Sequence, residues 1–242
     1  MLSDTEARNA LIVALDCDRA RALELTDLLA DHARWVKVGM TLFYRYGPGI
    51  VQEMKDRGFN VFLDLKVHDI PFQVHGAVRS ASLSGADIIS IHALGGSHMI
   101  ASGRSGAAEA AEVRGVGEKG RTKLVAISIL TSMNEEDLSS IGVCDTVASE
   151  VERLAKLSYN AGADGLVCSA QEASSMREIL GPEALIITPG IRPRGAEKGD
   201  QQRTATPASA IAAGASKLVI GRPITEAKDP CATFEEIVNE LI

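Results

Sequence analysis

The feature that most constrains the fold is a repeated alternation. Short β-branched runs lie at 11–15, 35–38, 60–65, 87–91, 123–129, 165–168, 184–187 and 217–220. Between them, segments such as 18–32 and 146–161 return an apolar residue every three or four positions and carry charge on the other side, the pattern of a helix with one buried face. Strands alternating with helices predict parallel strands joined by crossovers. An open doubly wound sheet would use the same alternation. Eight units in 242 residues favour closure into one (β/α)8 barrel domain over residues 1–242, a TIM barrel, for which about 250 residues is typical. An apolar fraction of 45% with only 4% aromatic residues suits that expectation, because barrel interiors are filled in layers by branched aliphatic side chains. No Pro/Ser linker or charge block divides the chain.

A net charge of −7 argues against a nucleic-acid or acidic-membrane surface, both of which select for excess Lys and Arg. An anionic ligand must therefore meet a local basic cluster. The four cysteines, Cys17, Cys144, Cys168 and Cys231, form no C-x-x-C pair, so neither a disulfide frame nor a zinc site is expected, and a reducing cytoplasm fits. The segment Met1-Leu2-Ser3-Asp4-Thr5-Glu6 lacks the basic-then-apolar order of an export signal, and no apolar run nears the roughly 18 residues of a membrane span.

Polar groups collect where the strands end. The first run leads to Asp16, the second carries Lys37, the third carries Asp64 and Lys66, and the fourth ends at His92. The fifth leads to Thr131, the sixth to Ser169, the seventh to Thr188-Pro189-Gly190-Ile191-Arg192 and the eighth to Gly221-Arg222. In a barrel of parallel strands these ends form one rim, where active sites lie. Asp64 and Lys66, two apart on a strand, are expected to project to the same side. Asp69 follows the strand, and Pro71 favours a helix start. A lone Asp/Lys pair is commonly a structural ion pair. Several charges at one mouth are harder to explain so, because burying them is costly unless they are paired or used.

The run Asp64-Leu65-Lys66-Val67-His68-Asp69-Ile70-Pro71, with Leu15-Asp16, Val36-Lys37-Val38-Gly39, Leu130-Thr131-Ser132-Met133, Thr188-Pro189-Gly190-Ile191-Arg192, Gly199-Asp200-Gln201 and Ile220-Gly221-Arg222-Pro223, resembles the orotidine 5′-phosphate decarboxylase family along nearly the whole chain. The resemblance implies conversion of orotidine 5′-monophosphate to uridine 5′-monophosphate in pyrimidine nucleotide synthesis, with no metal and no organic cofactor. It implies that Lys66 protonates C6 as carbon dioxide leaves, that Asp64 stands beside the substrate carboxylate, and that Lys37 and Asp16 hold the ribose and complete a set of alternating charges. It assigns Thr131 to the base, and Arg192, Gln201, Gly221 and Arg222 to the phosphate and its lid. Asp69 matches a residue that reaches the neighbouring subunit's site, so a homodimer is implied. After Pro71 the family commonly has Asn-Thr, the Thr contacting the partner's ribose; this chain has Phe72-Gln73, and Gln73 keeps a donor and an acceptor. Related sugar-phosphate decarboxylases and synthases share Asp-x-Lys-x-x-Asp but use magnesium. A catalytically silent nucleotide-binding module is the other alternative.

The segment 190–203 is also long and Gly-rich for a connector, and loops beyond about 12 residues in compact domains are usually functional or disordered. Barrels often bind phosphate with the loops after strands seven and eight. Arg194, Lys198 and Arg203 are expected as solvated loop charges. Gly115-Val116-Gly117-Glu118-Lys119-Gly120 matches G-x-G-x-x-G but follows a helical run at 106–114 and leads into a strand, the wrong context for a dinucleotide loop, and is expected as a helix-to-strand turn. His32, His68, His75, His92 and His98 show no clustered metal spacing, and His68 and His92 are expected to pack near the mouth. Ser128 and Ser169 lack a nucleophile-elbow sequence.

Overall fold

The computed structural model of the protein describes residues 1–193 and 204–242. Eight parallel strands close into a barrel in chain order: β1 (Leu11–Ala14), β2 (Trp35–Gly39), β3 (Asn60–Val67), β4 (Ile88–His92), β5 (Lys123–Ile127), β6 (Gly165–Val167), β7 (Leu185–Thr188) and β8 (Lys217–Ile220), with β8 pairing back onto β1. Each expected strand is present within a residue or two. Asp87 stands just outside β4, where its carboxylate accepts the Val61 N–H and the Lys55 ammonium, both at 2.7 Å, at the start of the ladder. β5 stops short of Ser128, whose hydroxyl turns onto the Val167 carbonyl at 2.9 Å.

Helix starts follow from the local chemistry. Asp18 and Thr146, both at the head of an expected helical stretch, accept backbone N–H bonds from Arg21 and Ser149 and cap the helices Arg19–Leu29 and Val147–Asn160. Pro71 opens the helix Pro71–Leu83, where its missing N–H costs nothing. The helix Gly96–Arg114 ends at Gly115, whose φ of 67° is left-handed. The G-x-G-x-x-G segment is thus a helix exit followed by the short turn Glu118–Gly120 before β5, as its context predicts.

Side-chain alternation sorts the core into two layers. Val13, Val36, Val38, Leu63, Ile89, Ala126, Leu166, Ile186 and Leu218 face outward into the helix layer. Ile12, Ala14, Phe62, Ile88, Val125, Ile187 and Val219 fill the barrel interior. That parity positions the site: Lys37 is two residues on from inward Trp35, and Asp64 two on from inward Phe62. At the opposite end, Asn9 accepts from the Trp35 indole at 2.9 Å and from Lys217 at 2.7 Å. All four cysteines are free thiols, and no helix among the described residues is long and apolar enough to cross a membrane.

The two ends of the chain are pinned together. Arg8, in the helix Asp4–Ala10, forms a two-pronged pair with Glu235 of the helix Pro230–Leu241 at 2.7 and 2.8 Å, and His32 adds a contact at 2.6 Å. The Arg8 hydrogen bond, outweighing partial burial and aided by His32, holds the Glu235 carboxyl down to about 2, from a usual 4.5. A carboxyl with a depressed folded pKa stabilises above its unfolded value and loses that contribution as pH falls through the folded one. Glu235→Gln is therefore expected to lower urea-unfolding stability by about 1 kcal/mol or less at neutral pH, the discount reflecting a partly exposed pair. The difference from the parent should shrink as pH drops from 4.5 towards 2.

Candidate active site

The carboxyl ends of the strands open into a cavity of about 670 Å³. Its floor is the top of the barrel interior, Ala14, Phe62 and Val219, and one wall is aliphatic, from Ile127, Ile129 and Val167. Asp16, Lys37, Asp64 and Lys66 line another side. Thr131, Arg192, Gly221 and Arg222 complete the rim. Eight of the residues singled out from the sequence thus surround one cavity, although they come from six different strand ends.

The four charges form a row of alternating sign. Asp16 Oδ1 accepts from Lys37 Nζ at 2.7 Å; Lys37 Nζ lies 3.6 Å from Asp64 Oδ2; and that oxygen accepts from Lys66 Nζ at 2.8 Å. The side chains of Lys37 and Asp64 are only 10% and 11% exposed, whereas Lys66 at 31% and Asp16 at 60% reach the open cavity. Burial of the Asp64 carboxyl works to raise its pKa. The charges of Lys37 and Lys66, with hydrogen bonds from Lys66 and Ser90, overcome that and hold it below the usual carboxylate range. Asp64 is therefore ionised at neutral pH, and its charge is shared between two ammonium groups.

Simple strand alternation does not explain how Asp64 and Lys66 meet. β3 bulges here: Leu63 pairs with Ile89 of β4 but Val67 pairs with Ile91, so four steps along β3 match two along β4. Lys66 sits within the bulge at φ 53°, the left-handed region, and is the one non-glycine residue there among those described. Such conformations persist only where the surroundings over-determine them, and they cluster at functional sites. The expected proximity holds, but the bulge produces it. Opposite the bulge is Ser90, fully buried, which the sequence did not single out. Its hydroxyl accepts from the Lys66 N–H at 2.9 Å and donates to Asp64 Oδ1 at 2.8 Å.

Other expected residues fall elsewhere. Asp69 and Gln73 are exposed and do not line the cavity of their own chain; Asp69 accepts the Ile70 N–H at 2.7 Å. Gln201 lies outside the described residues, as do Arg194, Lys198 and Arg203. The segment's flanks are tied by a bridge between Ile191 and Ala205, and the Arg192 N–H donates to the Ala205 carbonyl at 2.9 Å, which fixes Arg192 at the rim. His68 and His92 stack with ring centroids 5.3 Å apart. Burial, then the charges of His68 and Lys66, lower the pKa of His92, so it packs near the mouth as a neutral ring. Ser169 is buried with its hydroxyl on the Glu172 carboxylate, unsuited to nucleophilic attack.

Comparison with known proteins is consistent along the chain. The family model described as orotidine 5′-phosphate decarboxylase / HUMPS family matches residues 9–237. An orotidine 5′-phosphate decarboxylase of Vibrio cholerae is 47% identical over 233 residues, covering 96% of this chain and 98% of that protein. One from Aliivibrio fischeri is 46% identical over 228 residues, 94% of each. Among solved structures, orotidine 5′-phosphate decarboxylase from Lactobacillus acidophilus superposes with a TM-score of 0.82 at 37% identity, covering 96% of this chain and 98% of that one.

The charge row also dictates a small residue beside it. A Cβ on Gly39 would stand 2.9 Å from Asp16 Oδ1 and 3.0 Å from Lys37 Nζ. Gly39→Ala is expected to melt within a few degrees of the parent, because the displaced atoms are side-chain ends rather than backbone. A crystal structure of the variant should show the Asp16–Lys37 contact lengthened beyond its present 2.7 Å.

Proposed function

The chain belongs to the orotidine 5′-phosphate decarboxylase / HUMPS family, and from that premise we propose how its own residues convert orotidine 5′-monophosphate to uridine 5′-monophosphate, the carboxy-lyase reaction for which its 47%-identical relative is named. The observation that carries the mechanism is the Lys66 ammonium, held at 2.8 Å by Asp64 at the edge of a half-apolar cavity. Heterolysis of the C6–carboxylate bond leaves its electron pair on C6 while carbon dioxide departs. That carbanion sits on an sp² carbon with no adjacent carbonyl to delocalise it fully. A fixed cation where the charge develops stabilises the transition state more than the ground state. Lys66 then gives its proton to C6, forming the product C–H bond, and the neutral amine is reprotonated from solvent.

Asp64 has two tasks in this scheme. It orients the Lys66 ammonium, and its charge faces the substrate carboxylate, so repulsion present in the ground state is relieved as carbon dioxide forms. Lys37 and Asp16 hold the ribose hydroxyls, and Thr131 meets the base. Arg192, Gly221 and Arg222 hold the phosphate, with Gln201 assigned to the same group by family resemblance. Binding energy from the phosphate, remote from C6, serves to assemble the site.

The working unit in this scheme is a homodimer. Asp69 and Gln73 are exposed, do not line their own cavity, and adjoin exposed apolar residues, Ile70 at 63% and Phe72 at 82%. Tyr44, 73% exposed, and Leu94, 40% exposed, follow β2 and β4, the strands that flank β3. Exposed large apolar side chains on neighbouring strand-to-helix connections suit a surface that a second copy covers. A second copy would supply Asp69 to the site, and Gln73 would stand in for the Thr usual in the family. Scattered free thiols suit a reducing cytoplasm.

Lys66→Ala is expected to abolish the fall in ultraviolet absorbance of orotidine 5′-monophosphate while leaving uridine 5′-monophosphate binding largely intact; near-normal turnover would refute the assignment. Asp69→Ala is expected to be nearly inactive alone. Mixed with Lys66→Ala and allowed to exchange subunits, it should regain activity, because one site of each mixed dimer keeps both groups. No recovery in mixed dimers, with each variant dimeric on its own, would contradict sharing of Asp69.

A further inference from the structure

We propose that Ser90 is a positioning residue for the charge row, a single buried hydroxyl that fixes both the Asp64 carboxylate and the backbone bearing Lys66. The inference rests on the reading of Lys66 as proton donor. Between Leu63 and Val67, β3 and β4 fall out of step, and the β4 residue at the centre of the mismatch is Ser90, between Ile89 and Ile91. A bulge leaves backbone groups outside the regular ladder, and buried N–H groups must find a partner. For Lys66 that partner is Ser90 Oγ at 2.9 Å.

The same oxygen carries one proton, and it goes to Asp64 Oδ1 at 2.8 Å. With Oδ1 so occupied, Oδ2 is the oxygen presented to both ammonium groups, at 2.8 Å from Lys66 and 3.6 Å from Lys37. A hydroxyl is the smallest side-chain group that can accept from one side and donate to the other. Ser90 is completely buried among the aliphatic residues of β4, so no bulk water replaces either bond. A serine in that setting is unfavourable unless both bonds are made. Packing alone would be served by an alanine. The hydroxyl ties the φ of Lys66 to the rotamer of Asp64, so the distance between proton donor and carboxylate is set by β4 as well as β3.

The groups facing Asp64 are Lys37 from β2, Lys66 from β3 and Ser90 from β4. Asp16 lies behind Lys37, and the His92–His68 pair lies beyond Ser90 on the Lys66 side. Removing the hydroxyl takes one hydrogen bond from the ionised Asp64, so its proton affinity rises.

The test compares Ser90→Ala with the parent and with Lys66→Ala, measuring turnover of orotidine 5′-monophosphate, its acid limb and the affinity for uridine 5′-monophosphate. Ser90→Ala is expected to lose about ten- to a hundredfold in kcat, the factor attached to one hydrogen bond on a charged group. Product affinity should stay within about twofold, as for an interaction that matters chiefly in the transition state, and the acid limb of kcat should move to higher pH. A kcat within about twofold of the parent with an unmoved acid limb would overturn the inference. So would a fall in kcat matched by an equal loss of product affinity, which marks general loss of the fold. Should Lys66→Ala keep turnover, the proton-donor reading fails whatever Ser90 does. An inactive Lys66→Ala beside a normal Ser90→Ala removes the Ser90 inference alone.

Discussion

Two carboxylates and two ammonium groups can occupy the mouth of an apolar barrel only if each lies against a neighbour of opposite sign. Asp16, Lys37, Asp64 and Lys66 meet that condition in sequence order, from the end of β1 to the bulge of β3. The desolvation cost of Lys37 and Asp64, each about nine-tenths buried in its side chain, is offset by these contacts. The arrangement also makes the row stiff. Each of the two buried members, Lys37 and Asp64, touches an opposite charge on both sides, so the field at the mouth is set before any ligand arrives. Preorganised charge of this kind needs no reorganisation at the moment of reaction.

The remaining architecture follows from where that row must stand. Strand parity puts Lys37 and Asp64 inward above Trp35 and Phe62, and the interior side chains beneath them fill the barrel so that the site is a cleft with a floor. The helices bury the outward faces of the same strands. Gly39 is kept small by the Asp16–Lys37 contact that passes over it. Arg192 and Arg222, which follow β7 and β8, line the same cavity and bring positive charge to its rim.

Much of this was legible in the sequence because it depends on period. Eight β-branched runs separated by amphipathic stretches imply closure, and residues at the ends of parallel strands converge whatever their identity. Asp18, Thr146 and Pro71 announce helix starts by local hydrogen bonding and fixed φ alone. The β3 bulge was not legible: Asp64-Leu65-Lys66-Val67 alternates as a regular strand would, and only pairing with β4 reveals the extra residues. Ser90 was missed for a related reason, since a serine among isoleucines carries no motif and gains its meaning from a partner strand 26 residues away in sequence. Asp69 and Gln73 are exposed and do not line the cavity of their own chain, so nothing within one chain reports on their role.

The central claim is that this chain's own fixed charges, Lys66 above all, supply the electrostatic stabilisation for decarboxylation. The direct test is the initial rate of orotidine 5′-monophosphate consumption by the purified protein, followed by ultraviolet absorbance before and after treatment with excess EDTA. A rate unchanged by chelation is what a lysine ammonium at C6 predicts. A rate that collapses with EDTA and returns on addition of magnesium would place the stabilising charge on a metal ion and contradict the account.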